Sequence, residues 1–232
     1  MDIEVLDNVD MVAQKAASII AGEARKAVAL RGRFIIAVNG GKTPWKMLRA
    51  LADENVPWEG IHILQVDERL APYGHPDRNM THLYESLLGH APILPERIHA
   101  MQVEVNDLES AAAGYARVIR EIAGSPAVID LVHLGLGPDG HTASLVLRDP
   151  VLGVTDSDVA LTGIYQGRQR LTLTYPIINR ARKILWLITG SEKSEMLQRL
   201  LDSDLSIPAG RISQENAMVL ADKDAAGYFK MK

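Results

Sequence analysis

A glycine-rich turn precedes a histidine in the stretch "HLGLGPDGHTASL", residues 133–145. Imidazole has an ordinary pKa of about 6.5, so small shifts make His141 a base at neutral pH. Asp139 lies two residues earlier, where its carboxylate could hold the imidazole ring or keep its far nitrogen protonated. A structural histidine is the competing interpretation, but the glycine turn around His141 favours a general base.

The same turn matches the spacing G-x-G-x-x-G, which is typical of dinucleotide-binding sites. In such sites the loop amides face a pyrophosphate, and an acidic residue roughly 20 residues further on binds ribose. Pro138 has no amide hydrogen, and the charge of Asp139 would repel a phosphate. Asp156 and Asp158 precede the next apolar segment instead of ending it. We therefore reject a dinucleotide site.

A second glycine turn, Gly40-Gly41-Lys42-Thr43, follows an apolar run. A nucleotide-binding P-loop needs a glycine where this sequence has Ile36. What remains is a glycine turn that enters a helix N-terminus, where free amides and the helix dipole favour an anion. A plain strand-to-helix turn is the alternative.

The stretch "TGSEKSEML" forms a third turn, with Lys193 in the first helical turn. A lysine adds positive charge to the positive end of the helix dipole, and an anionic ligand would remove that conflict. Arg69 in "DER" and Arg170 in "RQRLTLT" flank other strands and could add bidentate phosphate contacts. Solvated surface charges are the alternative for all three cations.

Helices and strands that alternate along the chain must position these turns. Helices are predicted at residues 8–30, 80–88 and 107–122, in "SEKSEMLQRLL", from Pro44 onwards, and after "GPDGH", where Thr142 and Ser144 are suitable caps. Strands are predicted at residues 34–38 and in "IHILQVDER", "IDLVHLGLG", "RLTLT", "KILWLITG" and "AMVLAD"; "RLTLT" could be an edge or antiparallel strand.

This alternation predicts one α/β domain over residues 1–232, with a Rossmann-like open, mostly parallel sheet and helices on both faces. Ligands bind beyond the carboxyl ends of the strands in such sheets, which would bring the three turns together.

The composition narrows the functional classes. The 232 residues carry 25 basic and 29 acidic side chains without a basic stripe, so no nucleic-acid partner is expected. The absence of cysteine excludes disulfides, thiolate metal sites and a cysteine nucleophile. Apolar runs such as residues 184–188 are too short to span a bilayer, and the N-terminus lacks the order of a signal peptide. We therefore expect a cytoplasmic protein without a membrane partner.

The seven histidines show no metal-ligand spacing, and no metal site is predicted. His133 lies inside an apolar strand and is expected to be a core histidine with one hydrogen bond. His75 follows "DER" in a loop rich in proline and glycine, from which it could reach the pocket.

Five segments, in chain order, resemble the 6-phosphogluconolactonase family: "NGGKTPWKML", "VDERLAPYGHPDRN", "DLVHLGLGPDGHTASL", "RLTLTYPIINRARKILWLITGSEKSEML" and the closing "DKDAAGYF". The related glucosamine-6-phosphate deaminases share the glycine turns. They usually carry an aromatic residue after "DE" and a different continuation after "DGH", so Arg69 and "TASL" favour the lactonase.

The resemblance implies hydrolysis of 6-phospho-D-glucono-1,5-lactone to 6-phosphogluconate, a step of the pentose phosphate pathway, at one site without metal or cofactor. His141 would be the general base that activates water, and Asp139 would orient it. The cations would hold the 6-phosphate or the developing negative charge: Arg69, Arg170 and Lys193. Gly40, Gly41 and Thr43 of the second turn would line the pocket, together with Gly137 of the first turn. The expected partner is the small-molecule lactone, and the expected state is a monomer or a small homo-oligomer.

Several positions depart from the usual family pattern. Asn39 and Lys42 stand where small hydroxylated residues are common, and Arg78 stands where serine is frequent. After Leu145 the chain continues "VLRD" instead of a Phe-Pro type turn. Lys42 and Arg78 could add phosphate contacts, or they could be solvated.

Two other functions stay open. An amino-sugar-phosphate isomerase or deaminase needs a carboxylate base, and Asp67 or Glu68 is placed for that role. A non-catalytic effector-binding protein would bind sugar phosphates without turnover. The early start of the first α/β unit is not expected to leave room for an appended DNA-binding segment, which argues against a self-contained regulator.

Overall fold

Ten short strands of the described residues form two sheets. The structure, a computed structural model, describes residues 1–227; Tyr228 and Phe229 of the closing "DKDAAGYF" lie outside the described residues. In chain order the strands are β1 (Asp2–Leu6), β2 (Phe34–Val38), β3 (Ile61–Gln65), β4 (Asp67–Arg69), β5 (Ile98–His99), β6 (Leu131–Gly135), β7 (Val159–Leu161), β8 (Arg170–Leu173), β9 (Ile184–Ile188) and β10 (Ala217–Asp222).

The larger sheet is parallel throughout the part of the chain that the structure describes. Its seven strands pair in the order β1-β10-β9-β6-β2-β3-β5. Strand β2 lies between β3 and β6, with Phe34 opposite Ile61 and Ile36 opposite Leu131. The sheet is open and has helices packed around it, which confirms the predicted fold class.

Among the helices of the described residues, three begin directly after a residue whose side chain accepts a hydrogen bond from a backbone amide: the first, the fourth and the seventh. In chain order the α-helices are α1 (Val9–Arg31), α2 (Lys42–Ala52), α3 (Asn79–Leu83), α4 (Leu108–Ala123), α5 (Tyr175–Asn179), α6 (Ser194–Leu201) and α7 (Lys223–Ala226). A π-helical turn, Tyr84–Leu88, continues α3 to the end of the helix predicted at residues 80–88. Asn8 caps α1 by accepting a hydrogen bond from the Met11 amide, and Asp107 caps α4 in the same way through Ser110. Among residues 1–227, no helix is both long and apolar enough to cross a membrane.

Alternate side chains of the parallel strands pack against opposite layers. On β2, Phe34, Ile36 and Val38 join an apolar cluster with α1 and α2. Ile35 and Ala37 of the same strand point into a second cluster, with α4 and α6. Because successive side chains of a strand point to opposite faces, a strand covered on both faces is apolar along its whole length.

The segment "IHILQVDER" is two strands, not the single strand that its apolar character predicts. Gln65 ends β3, and at Val66 the chain leaves the large sheet: its amide donates to Val38, while its carbonyl accepts from Leu173. Strand β4 then pairs antiparallel with β8 in a three-stranded sheet of order β4-β8-β7, counted over the described residues. The segment "RLTLT" is therefore antiparallel, as one of the two expectations had it, but it occupies the middle of its sheet.

Two helix predictions need correction. The helix expected to start at Pro44 starts two residues earlier, at Lys42. Proline is tolerated in the third position, because amide hydrogens of the first helical turn have no partner within the helix and the missing one costs no hydrogen bond. The helix expected after "GPDGH" is absent: residues 141–148 form turns, and Ala143 and Arg148 have φ values of 53° and 69°, outside the helical region.

Candidate active site

Four neighbouring strands of the large sheet, β10, β9, β6 and β2, end at one edge, and the turns that follow them line a cavity of about 680 Å³. This is the edge at which ligands bind in open parallel sheets. Seven of the predicted site residues line the cavity: Gly40, Gly41, Lys42, Thr43, Gly137, His141 and Lys193. The structure thus brings the three glycine turns together as expected.

His141 and Asp139 form a close pair at this cavity. Nδ1 of His141 lies 2.5 Å from Oδ1 of Asp139, which also accepts from the His141 amide at 3.2 Å. An ionised carboxylate can only accept a hydrogen bond, so Nδ1 carries a proton. In the neutral imidazole, Nε2 is then the atom with the free lone pair. Nε2 has no hydrogen-bond partner among the described residues.

The ionisation of Asp139 suits this arrangement. Partial burial by itself would raise the pKa of Asp139, but hydrogen bonds and charge from His141 outweigh burial and lower this pKa below its ordinary value. Asp139 is therefore a carboxylate at neutral pH, and it can stabilise an imidazolium that forms during a reaction.

Glycine at position 137 makes room for the imidazole. The Gly137 amide donates to the carbonyl of His141 at 2.8 Å, and the Gly140 amide donates to the carbonyl of Gly137 at 3.0 Å. A Cβ atom added to Gly137 would lie 2.1 Å from Nδ1 of His141 and 2.7 Å from Oδ1 of Asp139. The turn can hold the imidazole in this position only if residue 137 has no side chain.

The two hydroxyl side chains after His141 tie the turn to the sheets, and they do not cap a helix as expected. Thr142 donates to the carbonyl of Gly135, and Ser144 donates to Oδ2 of Asp67 at 2.6 Å. Both are buried, because this segment lies between the two sheets.

The opposite wall of the cavity suits an anion. Gly41 precedes the first turn of α2, where the helix dipole and free amides favour negative charge. A hydrogen bond of 2.7 Å between the hydroxyls of Thr43 and Thr189 joins this turn to the one after β9. Asp222 accepts from the Gly190 amide at 3.0 Å and fixes the backbone beside Lys193.

Lys193 brings a partly buried positive charge to the cavity. Burial lowers the pKa of Lys193, and the charges of Glu192 and Asp139 act in the opposite direction. Lys193 lies in a short 3-10 turn, Ser191–Lys193, just before α6. It therefore stands at the start of the helix, as its position in the sequence predicted.

Comparisons with known proteins identify the family of the chain. A family model described as "Glucosamine-6-phosphate isomerases/6-phosphogluconolactonase" matches residues 7–221. The chain belongs to this family. It is 38% identical to a 6-phosphogluconolactonase of Synechocystis sp., over 84% of this chain and 82% of the relative.

Solved structures of similar proteins share the fold. The 6-phosphogluconolactonase from Thermotoga maritima is 30% identical, with a TM-score of 0.83 over 95% of this chain and 98% of that one. A monomeric glucosamine-6-phosphate deaminase superposes with a TM-score of 0.87 at 20% identity, covering 99% of this chain and 100% of that one. The fold is therefore common to both activities of the family, and the side chains of the site must distinguish them.

Two of the predicted phosphate-binding arginines are not among the described residues that line the cavity. Arg69 and Arg170 are opposite each other on β4 and β8. Arg170 is only 5% exposed, and the Nε atoms of both arginines are buried without a hydrogen-bond partner in the described part of the chain. Burial lowers the pKa of Arg170, although the charge of Asp67 opposes this effect.

Arg78 has a different environment from the one its place in the sequence suggested. It is buried, and its Nη1 donates to the carbonyl of Ala71 at 3.0 Å and to Glu104 at 2.9 Å. Its Nε lies 3.6 Å from the carboxylate of Glu68, which is fully buried. These contacts favour a structural role for Arg78 over contact with a phosphate.

The two carboxylates considered as the base of a deaminase are also hydrogen-bonded to other parts of the chain. Glu68 accepts hydrogen bonds from the side chain of Gln65 and from three backbone amides. Asp67 accepts from Ser144 and from Asn79. Neither carboxylate is among the described residues that line the cavity.

Two further histidines can be placed. His133 is fully buried, and its Nδ1 accepts from the Asn39 amide, as predicted for a core histidine with one hydrogen bond. His75 contacts Asp77 and Arg168 and does not belong to the lining among the described residues. No group of three or more potential ligands within residues 1–227 is arranged to hold a metal ion.

Sequence reasoning missed Tyr165. Its hydroxyl donates to Asp139, and its ring packs against the imidazole of His141. Residue Gly167, just ahead of "RLTLT", signals a turn between two strands, but the contact with Asp139 spans 26 positions of the chain and has no local signature.

Proposed function

We propose that this chain hydrolyses 6-phospho-D-glucono-1,5-lactone to 6-phosphogluconate, with His141 as the general base. The observation that carries the proposal is the pairing of His141 Nδ1 with Asp139, which leaves Nε2 as the basic atom at a cavity whose far wall suits a phosphate. The relatives named 6-phosphogluconolactonase support the choice of substrate.

The reaction needs no covalent intermediate. Nε2 of His141 takes a proton from a water molecule as the water oxygen bonds to the lactone carbonyl carbon, and the carbonyl oxygen becomes an oxyanion. The bond from this carbon to the ring oxygen then breaks, and the imidazolium returns the proton to that oxygen, which becomes a hydroxyl. Asp139 stabilises the imidazolium between the two steps.

The cations divide into two groups around His141. Lys193 and Lys42 line the cavity together with the N-terminus of α2, and we assign the 6-phosphate to this wall. Arg170 donates to the Ser144 hydroxyl, three residues after His141, and Arg69 lies opposite Arg170 on β4. Because neither lines the cavity in the described residues, we assign their positive charges to stabilising the developing oxyanion from a distance. In this assignment Asp139 orients the base, and Arg78 supports the fold.

The direct test follows the loss of freshly generated lactone in the presence of EDTA, against a blank without enzyme. We expect wild-type turnover well above the blank, and a fall of this excess by about 10²–10⁴-fold in His141→Ala. His90→Ala, at an exposed histidine outside the cavity lining, is the matched control and should keep wild-type turnover. A folded wild-type protein that only matches the blank would refute the lactonase.

The same samples distinguish the other functions. Incubation with glucosamine 6-phosphate should release no ammonia, because the oxygens of Asp67 and Glu68 are already engaged in hydrogen bonds. Saturable binding of 6-phosphogluconate without lactone turnover would point to an effector-binding protein instead.

A further inference from the structure

Tyr165 contacts both members of the His141–Asp139 pair. Its hydroxyl lies 3.1 Å from Oδ2 of Asp139, the carboxylate oxygen that does not face the imidazole. Its ring meets the His141 ring edge to face, with centroids 5.4 Å apart and an interplanar angle of 64°. Edge-to-face packing at this distance is a favourable aromatic geometry.

A tight hairpin holds Tyr165 in place. Tyr165 and Arg168 exchange two backbone hydrogen bonds, and the two residues between them, Gln166 and Gly167, have φ values of 51° and 79°. Positive φ at both central positions is the geometry of a type I′ turn, which matches the twist of the flanking strands. The hairpin is anchored in the smaller sheet, so the tyrosine has a rigid support.

The guanidinium of Arg170 covers a face of the Tyr165 ring. Its carbon atom lies 5.0 Å from the ring centroid, and its Nη2 donates to the side chain of Gln166 in the turn. The tyrosine ring therefore contacts both a buried cation and the imidazole.

We propose that Tyr165 is a positioning residue that fixes the Asp139 carboxylate and, through it, the imidazole of His141. This proposal rests on the proposed function of the His141–Asp139 pair. Among the described residues, Tyr165 is the side-chain partner of Oδ2, and Asp139 is otherwise substantially exposed, with 44% of its side chain accessible. Without the hydroxyl, the carboxylate can turn about its side-chain bonds and leave Nδ1 of His141.

The ionisation states of Tyr165 and Asp139 suit a hydrogen bond in which the tyrosine hydroxyl donates and the carboxylate accepts. Burial and the negative charge of Asp139 raise the pKa of Tyr165, so its hydroxyl keeps its proton at neutral pH. Tyr165 does not line the cavity within residues 1–227, and Tyr165→Phe keeps the ring that the Arg170 guanidinium contacts. An effect of removing the hydroxyl alone is therefore expected to pass through Asp139 and His141.

The test is a double-mutant cycle of Tyr165→Phe with Asp139→Asn. Tyr165→Phe removes only the hydroxyl, and we expect kcat to fall by about 3- to 10-fold, with KM changed by less than about twofold. In the Asp139→Asn background, the same substitution should lower kcat no further, because residues that act through one another are not additive. Tyr73→Phe, at a tyrosine that is 82% exposed, is the matched control and should leave kcat unchanged.

A second readout does not depend on lactone turnover. The Nδ1 proton shared by His141 and Asp139 should give a downfield proton resonance in the wild type, which Asp139→Asn removes and Tyr165→Phe shifts or broadens. If the lactone is not hydrolysed, this resonance still tests the positioning role. An unchanged resonance in Tyr165→Phe, or losses in kcat that add independently in the double variant, would overturn it.

Discussion

The backbone amide of Gly137 donates to the carbonyl of His141 over 2.8 Å, and the imidazole of His141 occupies the space where a side chain at residue 137 would begin. The two residues are four positions apart, and the turn between them closes on itself. The position of the base thus depends on the absence of a Cβ atom at one residue.

Gly137→Ala should therefore lower kcat strongly while the protein stays folded. The added methyl group would lie 2.1 Å from Nδ1 of His141, so the imidazole must move by an ångström or more. A displacement of this size lowers kcat by about 100-fold. The measurement is kcat beside the thermal midpoint of unfolding, with Gly153→Ala as the control, since a Cβ atom there meets open space. Near wild-type kcat in Gly137→Ala would show that the imidazole does not work from this position.

Lys193→Met should weaken binding of the phosphorylated substrate selectively. The substitution keeps a long side chain but removes the charge that Lys193 brings to the cavity. We expect KM for 6-phosphogluconolactone to rise by about tenfold or more, and KM for unphosphorylated glucono-1,5-lactone to change by less than about twofold. Lys26→Met, at an exposed lysine on α1, is the control. An equal rise in KM for both lactones would contradict the assignment of Lys193 to the phosphate.

Arg78→Met should destabilise the fold and leave substrate affinity almost unchanged. Removing the guanidinium leaves the fully buried carboxylate of Glu68 without its cation. Breaking a buried ion pair lowers the free energy of unfolding by about 3 kcal/mol. Urea unfolding gives this value, and Arg117→Met, at an exposed arginine on α4, serves for comparison. A large rise in KM with no loss of stability would instead favour the phosphate contact that the sequence suggested for Arg78.

The free energy of unfolding should fall as the pH drops below 6.5. Burial, with the charges of His99 and Arg97, lowers the pKa of His62 from 6.5 to about 4. Between these values the unfolded chain binds a proton at His62 that the folded chain does not bind. The contribution of His62 to stability is thus complete above pH 6.5 and is lost as the pH falls towards 4.

Urea unfolding at several pH values between 7 and 5 measures this slope. His62→Gln should flatten it without abolishing it, because burial lowers the pKa of His133 to about 3 and that residue acts in the same direction. His90→Gln, at an exposed histidine, should retain the wild-type slope. A slope in His62→Gln equal to that of the wild type would contradict the role of His62.

Local chemistry determined most of the elements. Strand β2 was predicted at its observed bounds, because an unbroken apolar run that ends at Asn39 and two glycines is typical of a buried parallel strand. Asn8 and Asp107 cap their helices through hydrogen bonds to residues three positions later, so both helix starts could be predicted to within one residue. The three glycine turns and His141 were predictable for the same reason: each is a property of a few consecutive residues.

Contacts between distant residues decided the rest. The whole of "IHILQVDER" suits a strand. Only the hydrogen bonds of Val66, to Val38 in the large sheet and from Leu173 in the small one, show that the chain changes sheets there. Arg78 and Lys193 are both cations near a turn. Arg78 forms ion pairs with Glu68 and Glu104, whereas Lys193 lines the cavity. Tyr165 reaches Asp139 only because the smaller sheet carries its hairpin to the edge of the larger one. The charge and size of a side chain follow from the residue type at its own position. Its contacts depend on how separate strands pair, and that pairing is a property of the folded chain.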